Sequence, residues 1–163
     1  MKELLILRHA KSSWKEAGLT DHDRPLNKRG KAAAPRMGAL LAEEGLIPDL
    51  IVSSTARRAR STAKRVAEAA GFDGEIVHER ALYLASTSGI LGVVASVPEA
   101  ATRLLIVGHN PGFEELVLQL TGAYERFPTA ALAHVELGIE SWREAPSAGG
   151  RLQGLWRPRD LDA

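Results

Sequence analysis

The chain alternates short, unbroken aliphatic runs with longer stretches in which apolar residues recur every three or four positions. "ELLIL", Glu3 to Leu7, predicts a first strand, and the periodicity from Lys31 to Glu44 predicts a helix with Pro35 in its first turns. "DLIV", Asp49 to Val52, predicts a second strand. "RRARSTAKRVAEAA" predicts a second helix, closed by Gly71, with Ala59, Ala63, Val66 and Ala70 on one stripe. "GEIVHE" reads as a third strand, Ser86 to Ser96 as a short helix and Arg103 to Gly108 as a fourth strand, after which Pro111 opens a helix through Leu120. The last third loses the helical period. Thr129 to Leu137 and Gly150 to Pro158 read as strands joined by a turn region at Ser147 to Gly150, with "APSAGG" as the hairpin loop.

Strands that alternate with helices imply a mostly parallel sheet covered on both faces, because parallel neighbours need crossover connections. Continuous aliphatic runs fit strands buried on both sides. The chain has no internal repeat, low-complexity segment or long linker, and 163 residues suit one core. The expectation is a single α/β domain over 1–163: three αβα layers, a mostly parallel sheet and an antiparallel C-terminal portion.

Composition narrows the function classes. With 45% hydrophobic and 25% charged residues the chain has the make-up of an ordinary globular protein. The absence of cysteine excludes disulfides, thiolate metal sites and cysteine nucleophiles. A net charge of +1 gives no global field toward nucleic acid or an anionic membrane, so neither is expected as a partner. The opening apolar run is too short for a secretory signal or a membrane span, which makes the cytoplasm the expected location.

In open α/β sheets ligands bind beyond the carboxyl ends of the strands. Here the first strand ends in "RHAKSS", the second leads into "SSTARRARS" and the fourth into "GHNPG". Each has a bland reading: His9 as a half-buried histidine, His109 as turn chemistry, the arginine run as a solvated helix face. Their coincidence at one sheet edge outweighs those readings, and the chemistry they share is phosphate binding. Guanidinium groups match phosphate oxygens in bidentate geometry. The helix that opens near Arg57 and Arg58, after Ser53, Ser54 and Thr55, presents free amides to an anion. An imidazole among arginines is pushed toward its neutral, nucleophilic form, the role expected of His9.

Arg8-His9 after the first strand, "SSTARRARSTA" after the second and "GHNPG" after a later one resemble the histidine phosphatase superfamily, or phosphoglycerate mutase-like fold. Within it, "LRHAKSSW", "DHDRPLNKRG", "ERALYLAS", "VGHNPG" and "FPTAALA" are similar, in order, to the small SixA-type phosphohistidine phosphatases. The resemblance implies that His9 accepts the phosphoryl group, that Arg8 and Arg58 hold its oxygens, and that His109 donates to the charge that develops on them. It leaves Arg57 and Arg60 at the rim or in solvent. It also implies that Asp23 orients the loop after the first strand, that Gly30 fits the turn into the helix, and that Lys11, Ser12 and Ser13 are candidates to touch phosphate or leaving group.

Many relatives read Arg-His-Gly where this chain has Ala10. The carboxylate that serves many of them as general acid aligns near Ala81, which leaves Glu79 and Asp21 as candidates. A positioned acid contributes about 10²–10⁴-fold when an alkoxide must leave. An imidazole leaving group, with an ordinary pKa of about 6.5, needs less help. The short connections between Arg58 and Arg103 also leave no room for a long capping insertion. Both features favour a metal-independent phosphatase for phosphohistidine in proteins, with a phosphorylated protein as partner, inorganic phosphate as product, and a monomer as the working form. A small-molecule phosphomonoesterase and a non-catalytic phosphate-binding module remain open alternatives.

Neither metal nor cofactor is implied, since the histidines lack paired helical spacing and "GHNPG" lacks the lysine of a nucleotide loop. His22 reads as a loop residue, His78 and His134 as structural. Trp14, Trp142 and Trp156 are assigned to core or hairpin packing.

Overall fold

The computed structural model describes residues 1–161. Six strands form one sheet: β1 (Lys2–Arg8), β2 (Leu50–Ser53), β3 (Ile76–His78), β4 (Arg103–Gly108), β5 (Leu132–Leu137) and β6 (Gly150–Trp156), in the order β3-β2-β4-β1-β5-β6. β1 runs parallel to β4 and antiparallel to β5, and β6 is antiparallel to β5. The parallel core and antiparallel end match the expected architecture.

Alternate residues of β1 feed two cores. Leu4 and Ile6 pack with Phe113, Leu116 and Trp142 under α3 (Thr87–Val94) and α4 (Gly112–Thr121). Leu5 and Leu7 pack with Met37, Leu41, Ala59 and Val66 under α1 (Lys28–Glu43) and α2 (Arg57–Ala70). All four β1 residues have no solvent exposure, which explains why the run shows no polar alternation. A four-residue helix, α5 (Pro158–Leu161), follows β6.

Several boundaries differ from the sequence reading. α1 opens three residues before Lys31 because the Asn27 side chain accepts from the Gly30 amide at 2.9 Å, a cap the periodicity alone did not register. Pro35 therefore lies inside the helix. β3 keeps only three residues of "GEIVHE", being an edge strand paired on one side. β5 starts at Leu132, after Ala130 adopts a left-handed φ of 62°.

The β5–β6 connection is not the simple "APSAGG" loop. Trp142–Ser147 form a 3-10 turn with a Ser141/Glu144 capping box. Trp142 is fully buried there, and its indole N–H donates to the Ala101 carbonyl at 2.7 Å. Trp14, by contrast, is 77% exposed and lies over the Arg24 guanidinium at 3.5 Å, so its assignment to core packing is corrected. Trp156 is half-buried against the α1/α2 core.

Candidate active site

The backbone aims the first two functional residues. β1 lies inside the sheet, and just beyond its end the His9 amide donates to the Gly108 carbonyl at 2.9 Å while the Ala130 amide donates to both the Arg8 and His9 carbonyls. The Ala10 amide donates to Thr62 Oγ1 at 3.0 Å, and that hydroxyl donates to the Arg58 carbonyl at 2.7 Å, so the loop after β1 and α2 share one tie. Gly30 approaches the loop from the other side: a Cβ at that position would stand 2.1 Å from the Lys11 carbonyl oxygen.

Three of the expected residues meet directly. His9 and His109 are buried with ring centroids 5.2 Å apart, and Arg58, only 2% exposed, reaches both. Arg58 Nε donates toward His9 Nε2 at 3.4 Å, and Arg58 Nη2 lies 3.5 Å from His109 Nδ1. Arg8 Nη1 donates to the Phe127 carbonyl at 3.2 Å, and its positive charge is felt at both imidazoles. Arg57 and Arg60 are exposed, as expected of rim residues.

Hydrogen bonding fixes the tautomers. His9 Nδ1 is 2.7 Å from the Ala10 carbonyl, which can only accept, so Nδ1 carries the proton and Nε2 presents its lone pair toward Arg58. At His109, Nδ1 faces a guanidinium that can only donate, so the proton sits on Nε2 and is given to Ser54 Oγ at 2.8 Å. Burial, reinforced by neighbouring cations, pushes both imidazoles down to about 3. Both are neutral at physiological pH. Burial also lowers Arg8, whose Nε has no hydrogen-bond partner among the described residues.

Asp21 is not placed as a proton donor. Its carboxylate accepts from Arg58 Nη2 at 3.0 Å, from Arg24 Nε at 3.2 Å and from the Tyr83 hydroxyl, and its carbonyl accepts from Arg58 Nη1 at 2.6 Å. Desolvation opposes its charge, but the bonds from Tyr83, Arg58 and Arg24 together hold it at about 2. Glu79 instead caps a 3-10 turn, accepting from the Ala81 amide at 3.1 Å. Ser12 Oγ accepts from Arg24 Nη1 at 2.7 Å, which makes it a support of that arginine. Asp23 is exposed and accepts from the Thr20 hydroxyl, so the ordering of this loop falls to Asp21 and Arg24 rather than to Asp23.

Sequence reasoning missed Tyr83, Arg24 and the specific role of Ser54. Tyr83 stands edge-on to both His109 and His22, at 5.4 and 4.9 Å. Its position in "ERALYLAS" was visible, but its partner Asp21 lies 62 residues away. His22 lies not in a plain loop but in a 3-10 turn, Asp21–Asp23, with its Nε2 2.8 Å from Thr55 Oγ1, and His134 pairs structurally with Glu3 at 2.8 Å. His78 ends the exposed edge strand.

The arrangement presents a buried, neutral imidazole lone pair beside fixed cations, which suits attack on an anionic phosphoryl group. Comparison with known proteins agrees. The model of the histidine phosphatase superfamily (branch 1) matches residues 4–83. A candidate phosphohistidine phosphatase SixA from Agrobacterium tumefaciens is 31% identical, with a TM-score of 0.83 over 96% of this chain and 98% of that one. Another from Nakamurella multipartitia is 28% identical, with a TM-score of 0.86 over 96% of both. An uncharacterised chloroplastic protein of Arabidopsis thaliana is 36% identical over 171 residues, 96% of this chain and 78% of that protein. The chain belongs to the histidine phosphatase superfamily, in its SixA-type branch, and is a phosphatase by that membership.

Proposed function

We propose that this phosphatase removes phosphate from phosphohistidine in other proteins, without a metal, through a transient phosphohistidine on His9. The carrying observation is the state of the two candidate acids. Asp21 is held as an anion by three donors, and Glu79 is turned to a backbone amide. Neither is placed to protonate a departing alkoxide. An imidazole leaving group needs less assistance, because its ordinary pKa of about 6.5 lets solvent supply the proton.

In the first step His9 Nε2 forms a bond to phosphorus as the substrate's P–N bond breaks, and the departing imidazole takes a proton from water. In the second step water attacks phosphorus, the bond to His9 breaks, and inorganic phosphate leaves. Arg58 faces His9 with Nε and His109 with Nη2, while Nη1 is anchored on Asp21. That orientation turns its inner edge to the phosphoryl oxygens. An arriving phosphoryl dianion favours a second proton on His109, whose Nδ1 then donates to the transferring oxygens. The same reading has the protein acting as a monomer in the cytoplasm; no described helix is long and apolar enough to cross a membrane.

The test is phosphate release from a phosphohistidine-bearing protein and from p-nitrophenyl phosphate, without added metal, for wild type and His9→Ala. Faster release from the protein, lost in the variant, supports the proposal. Release mainly from the aryl ester transfers the assignment to a small-molecule phosphatase, and no release from either selects a binding module.

A further inference from the structure

Beside the active site lies a groove of about 690 Å³ that the mechanism does not use. It is bounded by Lys11, by Arg29 and Arg36 on α1, by Pro128 and by Arg159 on α5. Four of its lining residues are cations, none of the described ones is acidic, and alanines and prolines supply the rest apart from Thr129.

Topology puts this groove at the catalytic end of the sheet. β1 ends at Arg8, β5 begins at Leu132, and Leu132 pairs with Trp156 at the end of β6. Lys11 is therefore two residues beyond the nucleophile, and Pro128 and Thr129 precede the Ala130 amide that bonds the His9 carbonyl. The close approach of Gly30 to Lys11 sets the first turn of α1 against the same loop.

Arg36 pairs with Glu43 on its own helix at 3.6 Å, but folding does not account for the rest of the charge. The first turn of α1 holds no acidic residue, while Lys28, Arg29 and Lys31 crowd the end where the helix dipole is already positive, an arrangement that costs helix stability. With a chain net charge of only +1, this is a local concentration rather than a property of the whole surface. Departures of this kind from local preference mark functional surfaces.

We propose that the groove docks an acidic stretch of the substrate protein next to its phosphohistidine, the cations pairing with carboxylates and the Ala/Pro floor accepting the intervening apolar side chains. The inference rests on the protein-phosphohistidine reading and adds to it a specificity for acidic flanks. Charge pairs of this kind act chiefly on encounter and on partner choice.

The test uses two phosphohistidine peptides that differ only in Asp/Glu or Asn/Gln flanks, with p-nitrophenyl phosphate as a substrate that has no flank. The variant is Arg29→Glu with Arg159→Glu, both exposed positions outside the catalytic cluster. Wild type is expected to favour the acidic peptide, and the variant to lose about tenfold in kcat/KM for it, through KM, with the other two substrates unchanged. Added salt should erode the wild-type preference in the same way. Equal loss on all three substrates, or no loss on any, overturns the docking inference. Failure of the substrate reading shows separately, as a wild type that turns over the aryl ester but neither peptide.

Discussion

Arg58 and Asp21 are joined at two points, Nη1 to the main-chain carbonyl at 2.6 Å and Nη2 to the carboxylate at 3.0 Å. The pair sets the plane of the guanidinium, leaving Nε directed at His9. Asp21→Asn keeps the shape but removes the charge that holds Arg58 and Arg24. A loss of about tenfold in kcat/KM is expected, matching a charge-assisted hydrogen bond of about 1.5 kcal/mol. Tyr83→Phe should lose less. If Asp21 were a general acid, the loss would instead grow steeply with leaving-group pKa, which a series of aryl and alkyl phosphates measures.

The ion pair also has a pH signature. With a folded value of about 2, below its ordinary carboxylate value, the carboxylate of Asp21 contributes stability that is present above pH ~4 and lost as pH falls toward 2. Acid unfolding of Asp21→Asn should be less steep than that of wild type across this window.

His9 and His109 act in a higher range. Both are neutral when folded, at about 3, whereas an unfolded histidine takes up a proton near 6.5. Between these values the unfolded chain binds more protons, so stability falls as pH drops from ~6.5 toward ~3. His109→Asn should flatten that slope, as read by denaturant titrations at pH 7, 6 and 5. Because His9 is still neutral at pH 5, kcat/KM should show no loss near pH 6.5 from protonation of the nucleophile.

Ser54 holds His109 Nε2 at 2.8 Å. Ser54→Ala leaves that buried N–H without its acceptor, at a cost of about 1–3 kcal/mol. Lower thermal stability and a reduced kcat with little change in KM are expected, and steady-state kinetics beside a melting curve would check both.

Gly30→Ala tests the joint between loop and helix. The added Cβ would meet the Lys11 carbonyl at 2.1 Å, a backbone atom with no room to yield. Overpacking of this kind costs about 1–3 kcal/mol. Reduced thermal stability with weaker phosphate binding is expected, because the loop that moves also carries His9.

The edge at which Arg8, His9, Arg58 and His109 gather was legible in the sequence because a parallel sheet collects its strand ends at one side, but the choice of Arg58 over Arg57 came from the family resemblance alone. The anchoring of Arg58 was not legible. It depends on Asp21 meeting Tyr83 across 62 residues, and no local pattern encodes that contact. Trp14 was misplaced for a related reason: aromatic residues are usually buried, but this one covers a guanidinium at the surface. The 3-10 turn at Trp142 escaped because the Pro/Ser/Gly signal of a loop is the same whether or not a neighbouring tryptophan anchors it.

The position of β1 between β4 and β5 partitions the molecule's motions. Its central residues have no exposure, so their amides exchange with solvent only when the whole domain opens. Residues 15–20, in the loop that follows, are all exposed, and exposed loops rearrange on nanosecond to microsecond timescales. The strand end that carries His9 is therefore held still while this part of its surroundings adapts, so a change in the loop leaves the spacing of His9, Arg58 and His109 undisturbed.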